Sequence, residues 1–403
     1  MNVTVVGGLY RERCAFPFWD QWYGSGGRAA AALASRHIKN VRLLTAFPSL
    51  DQQTVERLGA SWGVQIDTFP SQQAISFDYL HCLSTPFIRP RPEGLVRSVR
   101  IQAEGEVVLG FGMLEAEPII KARVAVYDPQ SVFEKSSPQA PRAFSANGSK
   151  AGKLALIANS FEANVMTGES EPRRAAKVLM QKDDAAVVIV KCGLKGALVL
   201  VKGRSRSIPA YFSERVWSIG SGDVFAAAFA SFWGLEKLDP FEAADCASKV
   251  TAIYAETGAA AIIKRGDLQK EQRRAVKPRP GRVYLAGPFF SVAQRWLVEE
   301  ARDHLHRAGL KVFSPVHDVG RGAAHEVAPA DLAGLKECDR VLALLDGADP
   351  GTIFEVGWAR ACGLPVIAYA ESLPDEALKM IAGSNCRVVR DFASAIYHTA
   401  WCS

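Results

Sequence analysis

The feature that most limits what this chain can become is a repeated alternation of short apolar runs with helical patterns, broken once by a long charged stretch. Strand-like runs at Val3–Val6, Val41–Ala46, Val124–Tyr127, Leu154–Ile157, Val187–Val190 and Ala197–Val201 recur between helix-like segments. That order predicts a parallel or mostly parallel sheet covered by helices. The pattern restarts after the break, with strands at 283–286, 310–314, 340–345 and 364–369 and helices at about 291–308, 329–337 and 352–362. The break itself, 264–282, is highly charged, ends in Pro278 and Pro280, and offers little to bury. It reads as a linker, open to a helical start, between a domain at 1–263 and a second at 283–403, and a 403-residue chain suits two cores better than one. Within the first domain, residues 72–112 alternate and carry several prolines, which suggests a small β lid or edge sheet. Residues 130–152, rich in Pro, Ser and Ala, read as a loop.

Composition excludes some classes. A 48% hydrophobic and 22% charged chain is ordinary for a soluble globular protein. No window approaches the roughly 18 uninterrupted apolar residues of a membrane span. The start, Met1 to Gly8, lacks a basic and then apolar leader and reads as a buried strand, so a cytoplasmic location is expected. The net charge of +6 is spread along the chain rather than striped, which suits small anionic substrates and argues against nucleic acid. The eight cysteines form no Cys-x-x-Cys pair and mostly lie in apolar runs, as buried reduced thiols do.

Sheets of this kind bind ligands beyond the carboxyl ends of their strands. In the second domain three such ends carry chemistry. The first strand runs into Gly287-Pro288-Phe289, where a glycine admits a ligand to the backbone and an aromatic ring can cover a base or sugar. The strand at 341–345 leads through Asp349 into a helix bearing Glu355, expected in the first turn, where the helix dipole favours a carboxylate. A carboxylate so placed can capture the oxocarbenium-like state of glycosidic cleavage. Capping roles explain Asp349 but not why Asp331, Gly287 and Glu355 all fall at strand ends. His317 and His325, in the intervening loop, read as structural or solvent-facing.

The stretch Tyr284-Leu285-Ala286-Gly287-Pro288-Phe289, Asp331-Leu332-Ala333-Gly334-Leu335 and Asp349-Pro350-Gly351-Thr352-Ile353-Phe354-Glu355-Val356-Gly357-Trp358-Ala359 resembles the nucleoside 2-deoxyribosyltransferases. The resemblance implies Glu355 as the nucleophile that forms a covalent sugar intermediate. It implies Asp349 in base recognition and proton handling, Asp331 in holding the sugar or the nucleophile, and Tyr284 in orienting Glu355. It also implies a homo-oligomer, since these enzymes complete their sites with a neighbouring chain, and no cofactor. A related branch hydrolyses the same bond with water, so transfer and hydrolysis both stay open.

In the first domain, Gly220-Ser221-Gly222-Asp223 joins a short strand to an apolar helix. Backbone amides there can cradle an anion, and Asp223 can take a proton from an attacking hydroxyl. This turn resembles the Gly-Ala-Gly-Asp motif of the PfkB (ribokinase-like) sugar and nucleoside kinases. Asn159 with Glu162 resembles the element that orders Mg²⁺ and phosphate, Glu162 acting on the metal indirectly. Gly193 and Gly196 match the turn beside the nucleotide, and Gly26-Gly27 the early sugar-contacting glycines. The family pattern is broken at Ala31, at the first loop Gly7–Arg11, which lacks the substrate-binding Asp, and at Trp217-Ser218-Ile219.

The expected architecture is therefore α/β throughout: a ribokinase-like three-layer α/β/α domain with a small β lid, then a doubly wound, Rossmann-like or flavodoxin-like parallel sheet. The expected function is cleavage or transfer of an N-glycosidic bond in a nucleoside or nucleotide, joined to an ATP- and Mg²⁺-dependent sugar or nucleoside kinase. The alternative is a kinase-like domain that binds a nucleoside or nucleotide without turning it over and regulates the other.

Overall fold

The computed structural model describes residues 2–36, 38, 40–48, 51–72, 74–95, 99–130 and 143–402. It divides into two compact units, Met1–Ser213 with Trp217–Val276, and Lys277–Ser403 with Glu214–Val216.

The first unit is built on a nine-stranded sheet. Its order is Arg204–Ile208, Ala197–Val201, Val187–Lys191, Lys150–Asn159, Ala116–Asp128, Val99–Phe111, Asn2–Val6, Asn40–Phe47 and Gln65–Pro70. All neighbours are parallel except at the hairpin edge, where Ala197–Val201 runs against both of its partners. Strands covered on both faces need apolar residues at every position, which is why Val187–Val190 reads as a continuous β-branched run. The register Asn159↔Lys191 brings the polar ends of two adjacent strands level at the carboxyl edge.

A separate four-stranded sheet contains Trp19–Trp22, Arg11–Phe16, Ser76–His81 and Phe87–Arg89. The stretch 72–112 is thus divided. Only Ser76–His81 and Phe87–Arg89 enter the small sheet, whereas Val99–Phe111 joins the large one and buries Ile101, Ala103 and Val107–Phe111. Exposed Arg100, Gln102 and Glu104 gave that strand its surface-like alternation.

The charged stretch 264–282 carries structure of its own. Arg265–Lys270 is helical with Leu268 buried, and Ala275–Val276 pairs with Ala210–Tyr211 inside the first unit. Of the proposed loop 130–152, residues 131–142 lie outside the described residues; Phe144–Asn147 forms a 3₁₀ turn and Lys150 opens a strand.

The second unit holds five parallel strands in the order Lys311–Phe313, Arg282–Ala286, Arg340–Leu344, Val366–Tyr369 and Arg387–Val389. In chain order this is 2-1-3-4-5, whose switch point lies between the first and third strands. Those strands end at Ala286 and Leu344, immediately before Gly287 and the Asp346 turn. The strand Arg340–Leu344 is buried along its whole length, and each of its Val and Leu side chains contributes about 1.5–3 kcal/mol by leaving water. The helix expected from residue 329 begins at Ala324 and contains Pro329, whose missing N–H leaves one interior bond unmade. A further strand–helix pair, Arg387–Val389 and Phe392–Trp401, follows the last expected strand. Among the described residues no helix is long and apolar enough to cross a membrane.

Candidate functional site

The switch point of the second unit gathers four of the residues singled out from sequence. Tyr284 is fully buried on the first strand and its ring stacks on Phe313, centroids 5.5 Å apart. That stack depends on Gly334, because a Cβ there would lie 2.1 Å from the Phe313 ring. The glycine lets the Asp331 helix close onto the strand layer. Tyr284 Oη donates to Glu355 Oε1 at 2.6 Å.

Asp349 caps the helix Pro350–Ala361, accepting from Thr352 N at 2.7 Å and Thr352 Oγ1 at 2.8 Å. Glu355 therefore lies beyond the first turn, which holds no acidic residue. The expectation that the helix dipole keeps Glu355 ionised is corrected here, since that field fades within one turn. Burial instead pushes the Glu355 carboxyl up to about 7; Asp331 and Asp349 add to the rise, and the Tyr284 hydrogen bond opposes it. Burial also raises Asp331, whose Oδ1 is enclosed without a hydrogen-bond partner. The Tyr284 hydroxyl is raised by burial and then by Glu355, so it remains a donor.

Around this group, Gly287 packs its backbone against Leu344, with room for a Cβ only 3.1 Å from that side chain. Pro288 and Phe289 follow it, and Phe289 leans on Phe290 at 4.9 Å between centroids. Phe290 and Phe354 are 73% and 58% exposed, and Phe354 immediately precedes Glu355 in its helix. His317 bridges Ser314 and Glu299, and His325 stands exposed; both are placed by their local surroundings.

The carboxyl edge of the first unit's sheet holds a second group. Asn159 and Glu162 form a reciprocal cap, Glu162 N donating to Asn159 Oδ1 at 2.8 Å and Asn159 N to Glu162 Oε2 at 2.7 Å. Gly220 has φ +73° and leads into the helix Ser221–Phe229; a Cβ on it would meet the Arg28 guanidinium at 2.1 Å. Asp223 accepts from Arg28 Nη1 at 2.9 Å with Oδ2 and from Gln130 Nε2 at 2.8 Å with Oδ1. Arg28, fully buried, also holds Glu12. Lys191 is paired with Asp128. A cavity of about 300 Å³ is lined by Glu12, Arg28, Gln130, Asn159, Glu162, Lys191, Gly222 and Asp223. Burial raises Glu12 and Glu162 and carries Asp128 up to about 7, with Arg28 and Lys191 opposing. Lys191, which burial would lower, is held high by Asp128 and Glu162.

Four expected glycines do not line this cavity. Gly26 and Gly27 aim their N–H groups at the Gly8 carbonyl, and a Cβ on Gly26 would sit 2.6 Å from the Gly7 carbonyl oxygen. They are small so that the helix can lie on the first strand's turn. Gly193 opens a 3₁₀ turn, and Gly196, at φ +87°, sits where a Cβ would be 2.1 Å from the Ile208 carbonyl. Conversely, Glu12, Arg28, Asp128, Gln130 and Lys191 were not singled out. Asp128 and Lys191 were findable, as charged residues ending apolar strands; Glu12, Arg28 and Gln130 meet only through the fold.

For a metal, the residues fit a hydrated ion rather than a bare one. Four carboxylates, Glu12, Asp128, Glu162 and Asp223, face two cations, and Asp128 Oδ1 is a buried acceptor without a partner. Yet Asp128, Glu162 and Asp223 are not drawn into a three-ligand cluster.

Comparison with known proteins places both sequence resemblances on firm residues. Residues 283–381 match the nucleoside 2-deoxyribosyltransferase family, and residues 153–264 match the pfkB family of carbohydrate kinases. The chain carries a deoxyribosyltransferase-like domain and a PfkB kinase-like domain. No curated protein matches it. Similar solved structures include a pyrophosphate-dependent kinase of the ribokinase family complexed with a pyrophosphate analog and myo-inositol, at 16% identity, covering 67% of this chain and 100% of that one, TM-score 0.47. Ribokinase from Thermotoga maritima is 17% identical over 67% of this chain and 98% of its own, TM-score 0.46. Phosphofructokinase-2 from Escherichia coli in complex with potassium is 13% identical over 67% and 97%, TM-score 0.46.

Proposed function

We propose that the second unit breaks the N-glycosidic bond of a nucleoside or nucleotide with Glu355 as nucleophile. The 2.6 Å bond from Tyr284 Oη to Glu355 Oε1, at the switch point and beside Asp331 and Asp349, carries this reading. Tyr284 holds one carboxylate oxygen and leaves the other to attack the anomeric carbon. As the C–N bond breaks, its electron pair leaves with the base, which gains a proton by way of Asp349. The sugar ester on Glu355 is then released by water, giving free sugar, or by a second base, giving a new nucleoside. Asp331, whose buried Oδ1 has no hydrogen-bond partner, takes the part of holding a sugar hydroxyl in this reading. Gly287, Pro288 and Phe289 form the side on which base or sugar rests. The exposed rings of Phe290 and Phe354 support a homo-oligomer in which a second copy covers them.

Glu355 must be ionised to attack, so turnover rises with pH through about 7. Tyr284→Phe removes the hydrogen bond that lowers Glu355, and the acid limb of kcat/KM then moves upward by about one pH unit. A limb that stays in place in a folded variant removes Tyr284 from this role.

For the first unit we infer an ATP-dependent sugar or nucleoside kinase in which Asp223 takes the acceptor's proton and Gly220, Ser221 and Gly222 face the transferring phosphoryl group. Mg²⁺, held through water by Glu162 and Asp128, would neutralise phosphate charge when bound. A second reading is favoured by one observation: both Asp223 oxygens are already engaged, by Arg28 and by Gln130. A base so occupied suits a unit that binds a nucleoside or nucleotide without turnover. The two readings separate in an assay of ADP release with a panel of sugars and nucleosides. A kinase consumes ATP, and Asp223→Asn stops it while base release continues; ATP left intact by every acceptor establishes the binding reading.

A further inference from the structure

Asn159, Glu162 and Asp223 lie at the carboxyl edge of the first unit's sheet, yet a cavity of about 810 Å³ opens at the opposite edge. It is lined by Lys153 early in one strand, by the hairpin at Lys202, and by Trp233, Lys237 and Asp239 beyond the helix Ser221–Phe229. From Lys153 to Asn159 the same strand rises roughly 20 Å, so the two cavities are separate. The size falls within the range of small-molecule pockets.

Three features set this cavity apart from ordinary surface. Lys153, Lys202 and Lys237 all line it, and among the described residues none of the three has a carboxylate partner. Of the two lining carboxylates, Asp239 is spent on the helix cap at Phe241 N, leaving Asp184. Lys202 and Lys237 stand at φ +35° and +59°, backbone that favours Gly or Asn. A lysine at either position does nothing for its turn, and such choices gather where a side chain is needed. Trp233 is half-buried on a π-helical segment, Ala230–Leu235, a distortion frequent at functional sites. Its ring already stacks on Phe229 on one side, centroids 5.5 Å apart.

We propose that this amino-edge cavity binds a small molecule carrying an aromatic ring and two or more phosphate groups. The ring rests against Trp233 and the phosphates are shared by Lys153, Lys202 and Lys237. The site is independent of the Asp223 cavity and of the glycosidic chemistry.

Photolabelling of the full chain with 8-azido-ATP, followed by peptide mapping, tests it. Label is expected on the peptide containing Trp233, competed by ATP, less well by inorganic triphosphate, and not by adenosine. In Lys202→Glu/Lys237→Glu, both exposed turn positions, half-saturation rises at least about tenfold while the melting curve is unchanged. Asp223→Asn leaves that label in place. Label found only elsewhere, label insensitive to the double charge reversal, or label lost in Asp223→Asn overturns the proposal.

Discussion

Glu355→Gln is expected to lower base release from a susceptible nucleoside by on the order of 10³-fold or more, and to make the protein more stable above pH 7. The first effect follows from removing the attacking oxygen while keeping the shape of the helix. The second follows from the direction of the Glu355 shift. Its carboxyl stands at about 7 in the fold against 4.5 unperturbed, so the folded state binds the proton more tightly. Below about pH 4.5 the group is neutral in both states and costs nothing. Between that and pH 7 the folded state loses stability, and above pH 7 the full penalty, on the order of 1–3 kcal/mol, is present. A neutral glutamine escapes it. Thermal melting at pH 8 and at pH 4.5 should show a raised midpoint only at the higher pH. Wild-type turnover removes the nucleophile assignment, and an equal midpoint at pH 8 removes the electrostatic account of the site. The conflict between a buried carboxylate and stability is the expected mark of a group kept for chemistry.

The second large effect is structural. Arg28→Met should destabilise the first unit by roughly 3–5 kcal/mol, because it strips the cation from two buried acids, Glu12 and Asp223. Burial already raises Glu12 in the presence of Arg28. Without that partner it rises further, so the deficit should shrink as the pH falls and Glu12 takes up a proton. Arg28→Met with Glu12→Gln should recover a large part of the loss, since one of the two orphaned charges is gone. Urea unfolding followed at pH 5 and pH 8 measures both points; a loss below about 1 kcal/mol at pH 8 means the triad is not a buried ion cluster.

Much of the second unit's candidate site was legible in one dimension. Asp349 caps its helix through Thr352 two positions beyond a proline, a signal that local rules read directly, and Glu355 follows at a fixed spacing. What local rules misjudged was the charge state of Glu355, since proximity to a helix start was taken to outweigh burial. The lid expectation held for Ser76–His81 and Phe87–Arg89, and erred over 99–111 for a related reason. Val99–Phe111 alternates like a surface strand in its first half, and only the register Val107↔Val3 and Val107↔Val124 places its second half in the main sheet. The glycines at 26, 27, 193 and 196, whose motifs suggested ligand contact, serve packing and turns and are not in the lining of the Asp223 cavity.

By itself the sequence determined the α/β class, the division into two alternating series, the family each resembles, and the strand ends at which the candidate residues gather. These rest on periodicity, caps and motifs, whose physics acts over one or two turns of chain. Only the tertiary structure decided that Arg28 lies between Glu12 and Asp223, that Gln130 takes the other Asp223 oxygen, and that Tyr284 reaches Glu355. Those contacts join residues far apart in the chain, and sheet order and strand register bring them together. Burial then sets the proton affinities, because desolvation depends on everything packed around a group and not on its neighbours in sequence.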